Sequence, residues 1–447
     1  MRHRRGFGPF ALAWSKIRDG LWFLPGLGAA AGVVGGHLIA TRLSPYLEDS
    51  GGHASTFFSG GAQAARVLLG TIAGSLITVT GVTFSVTVVA LQLASSQFTP
   101  RLLRRFVADR ANQAVLATFI GTFTYTLVVL RTVRSPEEGA GFVPGVAVSL
   151  SVVLLFVSVA ALIYFIHHAA RSMQASSILA RETRQALSLV DELFPSMLGE
   201  PTDALLQPHA ESHVVTADRS GYVQAVYESA LEDLAAERSV VIQMEPYLGY
   251  KILAGEPLAR ISGRGPLDER FADRVRKAFA LGHERTPEQD LEFFLVEIAD
   301  IAVKALSPGI NDPTTAVLAI ESIAEILVAL AGRGPPAPVR STGADDVYFV
   351  ARRTTFERAL RIALDSVRHF GAETPVVAIK LLEIIGRLAR LVPERHHPSL
   401  AAQREAVLYA ARAGITNPLD LRAVEDAAGD ALLPRPADDD PAGQSSS

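Results

Sequence analysis

The sequence predicts a mainly α fold: a four-helix transmembrane bundle followed by a cytoplasmic α+β domain that combines a small β-rich module with a helical bundle. Three observations carry this. Four long apolar windows in the N-terminal part contain no Asp, Glu, Lys or Arg. Short runs of strand-like residues with glycine turns begin at residue 213. Helical spacing of apolar residues takes over from about residue 266. Composition agrees: 49% of residues are hydrophobic, yet 20% are charged, the mixture expected of a membrane part joined to a water-soluble part.

A spanning helix needs about 20 mostly apolar residues. The windows cover about 21–40, 67–93, 114–130 and 142–166 within a transmembrane domain of residues 19–168. A charge at mid-bilayer costs about 2.5–3.5 kcal/mol on insertion scales, so charge-free windows support all four. The third is short. The flanks give orientation. Arg2, Arg4, Arg5, Lys16 and Arg18 (within the basic segment 1–18) precede the first window. Arg101, Arg104, Arg105 and Arg110 separate the second from the third, and Arg171, Arg181 and Arg184 follow the fourth. The other two loops balance arginines against Glu48, Asp49, Glu137 and Glu138. Positive segments favour the cytoplasm, which places both termini there. A cleaved signal peptide is the alternative reading of the basic start. However, the first apolar stretch is long enough to span, and no clear small-x-small site follows it.

Two spans carry small residues at helical spacing. In the first, Gly28, Gly32 and Gly36 share a face; in the second, Gly70, Gly74, Thr78, Gly81 and Ser85 do, with Gln92 further along the same side. Small residues let helix backbones approach closely in lipid, either within one chain or between subunits. The second span is also rich in hydroxyls. Thr71, Ser75, Thr78 and Ser85 lie on one side, and Thr80, Thr83 and Thr87 on the other. Bonding to the carbonyl one turn back makes a hydroxyl cheap in lipid; lining a wet, uncharged pore is the other use. His37, near the outer end of the first span, reads as interfacial or hydrogen-bonded, with a relay as the alternative. His167 and His168 are adjacent, so their side chains diverge by about 100° on a helix and share an ion poorly.

Residues 169–212 read as a helical connector and 213–265 as the β-rich module. His213 to Ala217 and Gly221 to Val226 read as strands around the turn Asp218 to Gly221. The phrases SGYVQ and LGYKILAGEPLARI resemble half-motifs of barrel-sandwich hybrid domains, but Lys251 is in no carrier-lysine motif, so a structural β-module without a swinging cofactor is expected. Residues 266–430 read as the helical cytoplasmic domain, with helices at about 267–283, 287–305, 313–331, 354–370, 374–391 and 399–413; residues 431–447 read as a disordered tail.

The most pointed local feature is Asp300-Ile-Ala-Val-Lys304-Ala-Leu-Ser307-Pro-Gly-Ile-Asn311-Asp312-Pro313-Thr314-Thr315. Asp300 and Lys304 are one helical turn apart, and Asp312 with Pro313 fits a cap and first helical position. The alternative is a polar site of Asp300, Lys304, Ser307, Asn311, Asp312 and Thr315 for an ion or a small anion. With no cysteine, thiolate metal sites and thiol nucleophiles are excluded. There is no phosphate loop, zinc helix or nucleophile elbow, no catalytic set and no sign of a cofactor. A net charge of −4 without a basic, aromatic-interleaved face argues against nucleic acid as a partner.

The stretch GSLITVTGVTFSVTVVALQLASSQFTPRLLRRFVADRANQ, Gly74 to Gln113, and the stretch DIAVKALSPGINDPTTA, Asp300 to Ala316, resemble the two hallmarks of a bacterial family of predicted membrane proteins, domain of unknown function 2254. The resemblance implies membrane helices followed by a cytoplasmic domain in a bacterial plasma (inner) membrane. It implies no activity. The leading expectation from the residues is a homo-oligomeric, channel-like protein in the lipid bilayer, gated or assembled by its cytoplasmic domain. The rival is a membrane-anchored sensor or scaffold without a pore, whose soluble domain binds a ligand or partner; an enzyme has least support.

Overall fold

The computed structural model describes residues 20, 22–49, 58–97, 109–135, 141–172, 174–194, 212–263, 268–333, 339–341 and 348–430. The basic segment 1–18, most of the basic loop between the second and third windows, and the tail 431–447 lie outside these. The chain is mainly helical and divides into two compact units, Met1–Gln174 and Ala175–Ser447.

The first unit contains α1 (Phe23–Leu38), which runs through a π-helical turn, Ile39–Leu43, into the short α2 (Ser44–Asp49). Then come α3 (Ala62–Gln97), α4 (Arg110–Thr132) and α5 (Gly145–Ser172). Helices α3 and α4 overrun their apolar windows at both ends and α5 at its C-terminal end, because a helix continues into the polar flank until a cap or breaker stops it. The short third window is therefore the middle of a 23-residue helix. Asp109 starts that helix, its carboxylate accepting from the Ala111 amide at 2.9 Å.

Helix α4 packs on α1, α3 and α5 and buries Val115, Phe119, Thr122, Tyr125, Thr126 and Val129. Its neighbours turn Leu27, Val33 and Val34 of α1, Ile77, Val82 and Phe84 of α3, and Val153, Phe156 and Ile163 of α5 outward. So broad an apolar exterior suits lipid and would be an aggregation liability in water. Hydroxyls are satisfied inside: Tyr125 donates to the Ala147 carbonyl at 3.0 Å, and Ser158 donates to Thr122 at 3.2 Å while both are buried.

The second unit opens with α6 (Ala175–Leu193), a helix separate from α5. Strands β1 (Ser212–Thr216) and β2 (Gly221–Val226) follow, then α7 (Glu228–Arg238), β3 (Val241–Met244), β4 (Lys251–Ile252) and β5 (Pro257–Ser262). Next come α8 (Glu269–Lys277), β6 (Phe279–Gly282), α9 (Leu291–Ala305) and α10 (Pro313–Ala331), then β7 (Val339–Ser341) and β8 (Tyr348–Val350). Helices α11 (Phe356–Gly371), α12 (Pro375–Leu391), α13 (His397–Gly414) and α14 (Pro418–Asp430) complete it.

Among the described residues the strands form two sheets, ordered β1-β5-β3-β8-β7 and β4-β2-β6, and of their pairings only β3–β8 is parallel. Three expectations change here. Strands β1 and β2 flank one turn yet pair into different sheets. The segment expected as a helix to residue 283 stops at Lys277, and Phe279–Gly282 pairs with β2. The β-module also draws β6, β7 and β8 from beyond residue 265. Val223, Leu231, Ile242, Leu258, Ile261 and Phe271 form its core.

Charged pairs join module and helices within this unit. Arg353 donates twice to Glu228, and Arg358 grips Glu292 while donating to the Tyr250 hydroxyl. Glu292 lies almost fully buried, and its hydrogen bonds hold Arg358 more firmly protonated than a free arginine. Removing one partner of so buried a pair would leave an uncompensated charge, a loss of about 3–5 kcal/mol.

Candidate functional site

The two glycine faces foreseen in the membrane helices have different surroundings. On α1, a Cβ at Gly28 would overlap the Ala117 carbonyl of α4, and one at Gly32 would overlap Gly121. At Gly36 it would meet the Tyr125 carbonyl at 3.1 Å. Gly121 returns the fit: its Cβ would lie 3.0 Å from the Gly28 carbonyl. Thr124 seals the contact by donating to the Ala29 carbonyl at 3.2 Å. This face is consumed by packing within the chain.

On α3 the row that faces the bundle is Ala65, Leu69, Ile72, Ala73 and Leu76, continued by Thr83 and Thr87. Gly70, Gly74, Thr78, Gly81, Ser85 and Gln92 sit on the opposite side and are exposed. A Cβ added at Gly70, Gly74 or Gly81 would meet nothing within 4 Å among the described residues. The hydroxyls here follow one rule: Thr71 donates to the Val67 carbonyl, Ser75 to Thr71 and Thr78 to Gly74, each at 2.8–2.9 Å. Each proton is thereby spent one turn back, and each oxygen keeps a lone pair facing outward.

The second candidate set is spread along a helix–turn–helix. Asp300 and Lys304 lie on α9, Ser307 and Asn311 in the turn, and Asp312 and Thr315 at the start of α10. Asp312 accepts from the Thr315 amide at 3.1 Å and from its hydroxyl, which hold its carboxyl below the usual carboxylate range. Ser307 donates to the Lys304 carbonyl, and Asn311 takes the left-handed conformation, φ 50°, that lets the chain reverse. Asn tolerates this region better than most residues. These contacts build a capped turn, and they bring Asp312 and Thr315 together.

Several polar groups were missed at the sequence level. Asp109, besides capping α4, accepts from or pairs with His168 Nε2 at 2.7 Å, and Tyr164 stacks on that ring. The pair ties the start of α4 to the end of α5. The only available signal was the acid-first-turn pattern at Asp109; nothing marked His168 as its partner. Asn112 and Gln113, one turn further along α4, are buried as well, and no sequence pattern singles them out. His167, by contrast, is exposed.

Five described helices are long and apolar enough to cross a membrane, one more than the windows predicted: Phe23–Tyr46, Ala62–Gln92, Arg110–Thr132, Gly145–Ser172 and Pro313–Ala331. Residues 18–387 match the family model for DUF2254, a predicted membrane protein. The chain is 34% identical over 385 residues to uncharacterized proteins of Mycobacterium bovis and Mycobacterium tuberculosis, covering 84% of this chain and 72% of theirs. No solved structure matches it. The chain belongs to the DUF2254 family of membrane proteins.

Proposed function

We propose that this member of the DUF2254 family is a four-span protein of the bacterial plasma (inner) membrane that assembles as a homo-oligomer and forms a channel-like path, gated or assembled by its cytoplasmic unit. The observation that carries the reading is the outward glycine and hydroxyl face of α3, Gly70 to Gln92, which its own bundle leaves uncovered. Glycine costs about 1 kcal/mol relative to Ala in a helix, so three of them on an unoccupied face favour an outside backbone as partner. The oxygens beside them are suited to replacing part of an ion's water shell.

The character of α10 supports a reading with four spans rather than five. It exposes Glu321 and Glu325 on one side and packs the other on α6, α9, α11 and α12, as a core helix of a water-soluble unit does. Arginines between the second and third spans and after the fourth support cytoplasmic termini. The partners of this reading are the lipid bilayer, further copies of the chain and an ion or small solute.

A second reading, a sensor or scaffold without a pore, gains from the same hydroxyls: they are satisfied by their own helix and need no water or ion. Flux separates the two. Purified protein in liposomes should be oligomeric and should pass ions or small solutes. Thr78→Val and Ser85→Ala should change which of them pass. An oligomer that passes nothing under voltage, tension or changed pH would leave the scaffold, and a monomer in mild detergent would remove the basis of the channel.

A further inference from the structure

At one end of the first unit a small cavity of about 10 Å³ opens between α3, α4 and α5, lined by Val86, Thr87 and Leu91, by Asn112, and by Phe165 and Ser172, among others. The volume is that of roughly one water molecule. Asn112 is only 6% exposed, and its Oδ1 has no hydrogen-bond partner among the described residues. A buried amide oxygen left in this condition costs free energy that a bound donor would recover. The hydroxyls at the cavity have spent their protons: Thr87 donates to the Thr83 carbonyl at 2.8 Å, and Ser172 to the Ala169 carbonyl at 3.1 Å. Their oxygens retain acceptor capacity. One turn along α3, Thr83 Oγ1 is also buried without a partner among the described residues, so unmet hydrogen-bonding capacity extends along this face.

We propose that this cavity is a binding site for a single water-sized hydrogen-bond donor, water or ammonium, held by the Asn112 amide oxygen with the Thr87 and Ser172 hydroxyl oxygens. The volume suits a water-sized group, and the unpartnered Asn112 amide oxygen, beside two hydroxyls whose protons are already spent, calls for a donor. The inference is independent of whether the outer face of α3 lines a channel.

Water-edited solid-state NMR on the full-length, isotope-labelled protein in lipid vesicles tests it. Magnetisation from water should reach Asn112 and Thr87 severalfold faster than the core residues Leu69 and Phe119. Equal, slow build-up at all four would mean a dry cavity and overturn the proposal. Asn112→Leu should slow the build-up at Thr87 to the core rate; persistence at Thr87 would also overturn it. The wild-type comparison stands if that variant does not fold. Ammonium chloride against sodium chloride distinguishes the occupants. Shifts at Asn112 with ammonium alone identify ammonium, and shifts with neither salt identify water. Equal shifts with both would show that charge, not hydrogen-bond donation, selects the occupant, contrary to the proposal.

Discussion

Helices α1 and α3 each carry glycines at four-residue spacing, and the two rows have different fates. The α1 row is pressed against the α4 backbone, where a side chain has no room. The α3 row faces away from the bundle, and its glycines touch nothing among the described residues. The same sequence signal therefore marks an internal contact in one helix and an open surface in the other. A glycine row permits close approach of a backbone; it does not say whether one is there or whether it belongs to the same chain.

Substitution separates the two rows. The largest effect is expected at Gly32. Gly32→Leu would drive a side chain into Gly121 and Thr124, costing about 1–3 kcal/mol or more from overpacking. Thermal unfolding in detergent should show a clearly lowered midpoint; an unchanged midpoint would mean that α1 and α4 do not meet as described. Gly74→Leu should leave the protomer's own stability nearly unchanged and dissociate the proposed oligomer, as read by native mass spectrometry. A Gly74→Leu oligomer as large as the wild type would assign this face to lipid.

A smaller effect is expected in the second unit. Asp312→Ala removes the cap of α10 and should cost about 1 kcal/mol. The carboxyl's folded pKa is depressed, so its contribution is present above the unfolded value of about 3.9 and fades as pH falls through the lower folded value. The stability gap between wild type and Asp312→Ala should therefore close in acid. A variant that keeps full stability but loses binding of an ion or anion in a thermal-shift screen would favour the polar-site reading of Asp300 to Thr315. The smallest effect is Gly70→Ala, which should stabilise the isolated protomer by up to about 1 kcal/mol through helix propensity, provided the added methyl meets nothing.

The limits of the sequence follow from particular elements. The helix from residue 313 to 331 was legible to the residue, because Asp312, Pro313 and the apolar spacing all act locally. Phe279–Gly282 was not, because Phe-Ala-Leu-Gly has no strong strand signal and only pairing with β2 makes it a strand. Val339–Ser341 and Tyr348–Val350 were hidden for the same reason: β8 is a strand because β3 lies beside it. Asp109 and His168 are 59 positions apart, and no periodicity links an N-terminal cap on one helix to the last turn of another.

Hydropathy and charge are sums over neighbouring residues. They were enough to determine that this is a membrane protein with several apolar helices, and that its glycine and hydroxyl faces exist. Which face is occupied, which strands share a sheet, and which buried oxygen lacks a donor depend on contacts between segments far apart in the chain. Those were decided by the tertiary structure, because close approach of two backbones is a property of the pair and is written in neither helix alone.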